Sequence, residues 1–160
     1  ALQMDYRIEK KEAFRIVGIS APLDAEIERN FETVPLLWGN AVQNGTLSQL
    51  CEKMNGQPMG VLGVSACSDK AENWRYYIAV ASTADAGEFE EYTIPAFTWA
   101  IFSGEGSGVS IQELERRIVT DWLPASGYEY ASGPDVEVYL DPNPENTKYE
   151  VWIPVVKKDE

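Results

Sequence analysis

A chain of 160 residues, 44% of them hydrophobic, is long and apolar enough to bury a core, which argues against a disordered or fibrous protein. Its 26 acids against 13 Lys and Arg give a net charge of −13, so a phosphate backbone is a poor direct partner and a cation a good one, with solubility as the plain alternative meaning of that charge. Histidine is absent, which removes Ser-His-Asp and Cys-His catalysis and most zinc and haem sites.

Residues 4–19 read as strand, with Met4, Tyr6 and Ile8 alternating before Phe14-Arg15-Ile16-Val17-Gly18-Ile19. Pro22 and Asp24 punctuate, and Asp24 is placed to cap a helix whose face carries Ile27, Phe31 and Val34, continued by Leu37 and Trp38. Pro35 is expected to kink or restart that helix. Residues 46–54 form a second helical stretch ended by Asn55-Gly56, and strands follow over 59–67 and 75–82, separated by a polar turn at 68–73.

An acidic connector, 84–91, precedes a restart of the pattern. Residues 92–102 read as strand and 104–108 as a glycine-rich turn, and Ser110 with Glu113 forms a capping box. Ile111, Leu114, Ile118, Val119 and Trp122 make the apolar face of a helix that Pro124 and Gly127 terminate, and 136–140 and 149–155 are the last strands. The order β-α-β-β, twice over, predicts an α+β fold in a single domain over 1–160. Its tandem pseudo-two-fold β-α-β-β modules, about 1–83 and 84–160, would place helices on one face and a central ligand groove where the halves meet.

The final hairpin carries unexpected acids. Alternation puts Val136, Val138 and Leu140 on one face of their strand and Glu137 and Tyr139 on the other. In the next strand Tyr149, Val151 and Ile153 oppose Glu150 and Trp152. If both apolar faces pack on the helices, Glu137, Tyr139, Glu150 and Trp152 lie together on the opposite side. An exposed face with cross-strand pairs is one reading of that set. The other is a site for a flat organic cation, with rings supplying contact area and a negative π face and a carboxylate supplying counter-charge. The equivalent strand of the first half puts Tyr77 toward the same groove, with small Ala79 and Ala81 beside it. Trp99 shares a face with Phe97 and could line either groove or core, while Trp38 and Trp122, on helices, read as core.

Several stretches resemble the GyrI-like effector-binding domain, which also forms the C-terminal part of AraC/XylS-type and MerR-type multidrug regulators. They are Val17-Gly18, Pro35-Leu36-Leu37-Trp38, Tyr92-Thr93-Ile94-Pro95-Ala96, the run from Trp122 through Glu129, Val136-Glu137-Val138-Tyr139, and Tyr149-Glu150-Val151-Trp152-Ile153-Pro154-Val155. The resemblance implies binding of bulky aromatic cations, with Glu150 as central counter-ion and Tyr139 as an aromatic wall. The chain departs from the family at Trp99, where a Tyr is common. No helix-turn-helix segment is visible, so the chain looks like the free-standing form of the family, of the kind encoded on integron cassettes.

A ligand-binding module is therefore the leading expectation, with no cofactor, no metal, no direct nucleic-acid contact and no membrane partner, and with more weight on binding than on catalysis. Some GyrI-like proteins hydrolyse cyclopropane-containing alkylating compounds, and a groove glutamate could polarise water for that chemistry. An interaction module, or a regulator's effector part working with a DNA-binding partner protein or domain, is the third reading. Cys51 and Cys67 make no CxxC, and residues 1–10 do not read as a signal peptide, so a cytoplasmic location is expected.

Overall fold

The computed structural model describes residues 5–23, 27–67, 74–106, 108–140 and 147–158. Met4, Asp24, the 68–73 turn and the side chains of Ile27, Phe31 and Cys67 lie outside the described residues. In chain order the elements are β1 (Tyr6–Lys11), β2 (Phe14–Pro22), α1 (Ile27–Gln43), α2 (Thr46–Lys53), β3 (Val61–Cys67), β4 (Trp74–Ala81), β5 (Glu90–Ile94), β6 (Phe97–Gly106), α3 (Gly108–Arg117), α4 (Leu123–Ala125), β7 (Tyr128–Tyr130), β8 (Asp135–Tyr139) and β9 (Thr147–Lys157). One turn of wider π-helix, Ile118–Trp122, joins α3 to α4. It sits just before Pro124, which has no amide proton to continue an α-helical ladder.

Two expected strands are each a pair. Residues 4–19 divide at Glu12-Ala13 and residues 92–102 divide at Pro95-Ala96, because the chain changes partners there: β1 pairs with β6, whereas β2 pairs with β4 and β5. Helix α1 runs through Pro35 without interruption, and α2 follows Gly45, whose φ of 81° suits glycine alone. Helix α3 starts two residues before Ser110, so the expected capping box is not formed. The Ser110 hydroxyl meets Tyr149 instead, and Glu113 pairs with Arg116.

All the strands join one antiparallel sheet in the order β1-β6-β9-β8-β3-β4-β2-β5, with β7 added to β9. One face carries the helices. Val17, Tyr76, Ile78 and Val80 pack under α1 and α2, and Phe102, Tyr149, Val151 and Ile153 pack under α3 with Ile111, Leu114 and Ile118. The other face carries Ile16, Leu62, Val64, Tyr77, Trp99, Ile101, Val136, Val138 and Trp152, and its cluster contains strand residues only. That face is dry because the sheet curls on itself. Strands β2 and β9 stand four strand spacings apart, about 19 Å in a flat sheet, yet the Phe14 and Trp152 rings meet edge to face with centroids 6.3 Å apart. Curling lets one sheet make two cores, one against helices and one against itself.

Trp99 lies in the self-packed core at 0% exposure, in contact with both Phe97 and Trp152. Trp99→Ala should therefore lower unfolding free energy by about 3–5 kcal/mol, measured by urea denaturation. A loss below about 1 kcal/mol would be incompatible with the closed core.

Candidate functional site

Strand β8 runs at the centre of the sheet, between β3 and β9. Its register sets Glu137 opposite Gly63 on β3 and Val151 on β9. Residues directly opposite in an antiparallel sheet share a face, and Val151 packs under α3. Glu137 and Tyr139 therefore face the helices, between α1 and α3. A single Glu137 oxygen, Oε1, accepts hydrogen bonds from the hydroxyls of Tyr76 and Tyr139, both at 2.9 Å. The Tyr76 hydroxyl in turn accepts the Trp38 indole N–H at 3.0 Å, and the Trp38 ring stands edge to face on Tyr139 with centroids 5.1 Å apart. Gly63 makes this possible: a Cβ there would lie 2.2 Å from the Tyr76 hydroxyl and 2.7 Å from Glu137 Oε1.

A second acid joins from the opposite helix. Glu115 on α3 lies near enough to Glu137 for the two acids to act on each other. Burial first, then the Glu137 charge, pushes the Glu115 carboxyl far above the usual carboxylate range. Burial likewise holds the Tyr76 and Tyr139 phenols protonated, with the Glu137 charge adding to it. Farther along β8, burial raises Asp135 to about 6 against the opposing effect of the Tyr130 hydroxyl bonded to it at 2.6 Å. The site is thus a pair of acids framed by two tyrosines and a tryptophan. Among the described residues no three Cys, Asp or Glu groups cluster as a metal site requires.

The structure divides the residues expected to share one face. Glu137 and Tyr139 stay together beneath the helices, while Val136 opposes Trp152 and Val138 opposes Glu150 on the self-packed face. Glu150 is no unpaired counter-ion: its Oε2 meets Arg7 at 3.3 Å and its Oε1 accepts the Trp152 indole N–H at 3.0 Å. Trp152 and Tyr77 are core side chains at 3% and 6% exposure, and Trp99 is buried completely. The expectation failed because it assumed one apolar face per strand. Val136 and Val138 do bury, but against the curled sheet rather than the helices, which shifts the hairpin register by one. Glu150 and Trp152 both line a cleft of about 390 Å³, together with Arg7, Lys11, Phe14 and Met59 among others. Lys11 stands 5.7 Å over the Trp152 ring, so one of the protein's own cations occupies the aromatic face there.

The site also contains residues that the sequence pattern had assigned to the core or passed over. Tyr76 and Trp38 are packed as expected, yet a buried phenol and indole each need a hydrogen-bond partner, and theirs lead to Glu137. Glu115 had a signal of its own. It stands four residues after Ile111 and three before Ile118, inside the apolar stripe of α3, whereas Val119 is exposed.

The sequence matches the GyrI-like small molecule binding domain over residues 4–156. The chain belongs to this family. Its GyrI-like fold superposes on SAV2435, a structure solved bound to tetraphenylphosphonium, with a TM-score of 0.85 at 21% identity, covering 96% of this chain and 94% of that one. An integron cassette protein from the mobile metagenome of Vibrio cholerae follows at TM-score 0.67, 16% identity and coverages of 94% and 95%. The C-terminal domain of EcmrR gives 0.59, 15%, 98% and 99%. At these identities the likeness is one of fold. Among curated protein sequences none matches significantly. Among the described residues no helix is long and apolar enough to cross a membrane.

The buried acids give this GyrI-like domain an unusual pH dependence. Because Asp135 titrates at about 6 in the folded protein, above the usual aspartate value, the folded state holds that proton more tightly than the unfolded chain. The associated stability is complete below about pH 4 and is lost as pH rises through about 6. Asp135→Asn keeps an acceptor for Tyr130 and should recover roughly 1–3 kcal/mol at pH 7.5 relative to pH 4.5, read from thermal unfolding at both pH values. An unchanged difference between the two pH values would show that Asp135 titrates normally.

Proposed function

We propose that this domain binds lipophilic aromatic cations between α1 and α3, with Glu137 as counter-ion and Tyr76, Tyr139 and Trp38 as the aromatic frame. One observation carries the reading: a carboxylate fixed at the middle of the sheet by two phenols and paired with no Lys or Arg among the described residues, in contrast to Glu150 with its Arg7. Two hydroxyl donors on one oxygen hold the group in place and leave its charge uncompensated, and rings beside it reward a cation with both contact area and π attraction. The net charge of −13 draws cations toward it. Membership of the family and the tetraphenylphosphonium bound by SAV2435 point the same way.

The reading is of binding without turnover. Tyr76 and Tyr139, kept protonated by burial, serve as donors rather than bases or nucleophiles at neutral pH. Within a cell we place the domain in the cytoplasm, where the exposed free thiol of Cys51 would persist. A DNA-binding protein or domain is the partner that would read out the bound ligand, a reading supported by the fold shared with the C-terminal domain of EcmrR.

The same proposal treats residues 1–83 and 84–160 as duplicated halves of one domain. Exchanging β1 with β5, β2 with β6, β3 with β8 and β4 with β9 turns the strand order into its own reverse. Gly63 opposes Ile78 in the first half as Glu137 opposes Val151 in the second, and Tyr76 and Tyr149 stand two residues before those partners. On this reading Gly63 and Glu137 are equivalent positions that face each other across the axis. A crystal structure whose halves fail to superpose strand for strand under that exchange would sink the duplication.

Titration of tryptophan fluorescence with tetraphenylphosphonium and with its isosteric anion, tetraphenylborate, tests the ligand class. The cation should bind and the anion should not, and the recovered cation should be chemically unchanged. Glu137→Gln should weaken cation binding at least tenfold, about 1.4 kcal/mol, whereas Glu150→Gln on the other face should change it less than about twofold. Equal affinity for both ions would defeat the proposal. A loss confined to Glu150→Gln would move the site to the opposite face.

A further inference from the structure

We infer that the cleft beside Glu150, on the strand-only face, is a second ligand site, and that it takes an aromatic zwitterion: a flat ring system carrying one carboxylate and one fixed cation. The inference goes beyond the cation site between α1 and α3 and does not depend on it. The cleft has the size and walls of a small-molecule site. Its volume of about 390 Å³ falls among those of ligand pockets, roughly 300–1,000 Å³. Phe14 and Trp152, edge to face at 6.3 Å, form an aromatic corner of its lining. Met59 and Leu140 also line it and are each 50% exposed, so large apolar side chains lie open there, one of them a pliable thioether.

The same face differs between the two halves of the sheet. Under the strand exchange proposed above, Tyr77 corresponds to Glu150 and Tyr92 to Glu9. Tyr77 and Tyr92 stack, with centroids 5.4 Å apart. Glu150 and Glu9 set two carboxylates at the equivalent positions, and Arg7 bridges them. Two stacked rings in one half thus become two acids joined by an arginine in the other, and the cleft lies against that arginine.

Charge selects the ligand. Two cations, Arg7 and Lys11, and two acids, Glu12 and Glu150, line the cleft. Glu9 binds Arg7 and lies 3.0 Å from Lys11. Both terminal nitrogens of Arg7 lie 3.3 Å from a single Glu150 oxygen, Oε2, longer than the roughly 2.7–2.9 Å of a strong charge-assisted bond. Arg7 is half-exposed as well, so this contact is cheap to open. Opening it for a lone cation replaces one pair by one pair and sets the newcomer beside Arg7 and Lys11, which repel it. A lone anion also replaces one by one, and Glu12 and Glu150 repel it. A zwitterion replaces one pair by two. Its carboxylate takes the Arg7 fork, for which two parallel N–H bonds are the best geometry, and its cation takes Glu150 Oε2. Glu150 Oε1 keeps the Trp152 indole N–H and Arg7 keeps Glu9. The ring system then covers the open apolar side chains.

The test uses three probes of nearly the same shape: the zwitterion (carboxymethyl)quinolinium, its cationic amide (carbamoylmethyl)quinolinium, and the anion naphthaleneacetate. Calorimetric titration of the whole chain is run with tetraphenylphosphonium at saturation, so that the site between α1 and α3 is filled. The zwitterion should still bind, about tenfold or more tighter than either singly charged probe. Arg7→Gln, an exposed change on an edge strand, should weaken the zwitterion about tenfold or more and make the cation the tightest of the three. Glu150→Gln should cause a similar loss and make the anion the tightest. Neither change should move tetraphenylphosphonium affinity by more than about twofold. The inference is overturned if the zwitterion does not bind, if tetraphenylphosphonium displaces it, if the cation or the anion binds the unchanged chain as tightly, or if either substitution leaves zwitterion affinity where it was. If tetraphenylphosphonium itself fails to bind while the zwitterion behaves as described, the cation-site reading falls and the second site stands.

Discussion

A single antiparallel sheet with apolar residues on both faces must bury both, and this chain has helices for only one. The constraint is met by curvature. Phe14 at one side of the sheet touches Trp152 from the middle of the other half, and the strand side chains between them fill the enclosed space. Most other features follow from that closure. The strands that look half-exposed by alternation are buried on both sides, the large aromatics facing away from the helices become core, and the hairpin register is set by two apolar surfaces instead of one.

With both faces of the sheet committed to packing, a charged group can stand at its centre only where the helices leave room and where partners satisfy it. Glu137 meets both conditions. Gly63 gives up its side chain directly opposite, and the vacated space holds the Tyr76 hydroxyl and the carboxylate oxygen that accepts it. Trp38 fixes Tyr76 from above, and Tyr139 closes the other side. A polar network of this kind in a low-dielectric interior is stable only when every member is satisfied. Three donors, Trp38, Tyr76 and Tyr139, and two acceptors, the Tyr76 hydroxyl and Glu137 Oε1, make up the network.

The two faces of the final hairpin thus carry two glutamates of opposite character. Glu150 sits near the open rim of the curled sheet, where the β1 residues Arg7 and Lys11 reach over it and over Trp152. Its partner Arg7 is half-exposed and also pairs with Glu9. Glu137 lies on the helix side, held by the Tyr76 and Tyr139 hydroxyls at 2.9 Å, with a second acid, Glu115, acting on it. Surroundings rather than residue type separate a structural ion pair from a candidate ligand site, since a paired carboxylate gains little from an incoming cation while an unpaired one gains its whole counter-charge.

Period-two alternation within each strand is a local property, and the sequence alone determined it: Glu137 with Tyr139, Glu150 with Trp152, and Tyr76 with Ile78 and Val80 each share a face as the pattern requires. The α+β class was legible from such local patterns too, and so was the pairing of an acid with aromatic rings, whereas the splitting of residues 4–19 and 92–102 into two strands each, and strand β7, were not. What joins one strand to the next is not local. Whether Glu137 lies beside Glu150 or through the sheet from it depends on a one-residue register, and alternation cannot choose when both faces are apolar. Only the curl of the whole sheet, which brings β2 to β9 and needs Val136 and Val138 on its inner side, decided that question. In doing so it gave the helix-side position to Glu137, the rim to Glu150 and the core to Trp99, Tyr77 and Trp152.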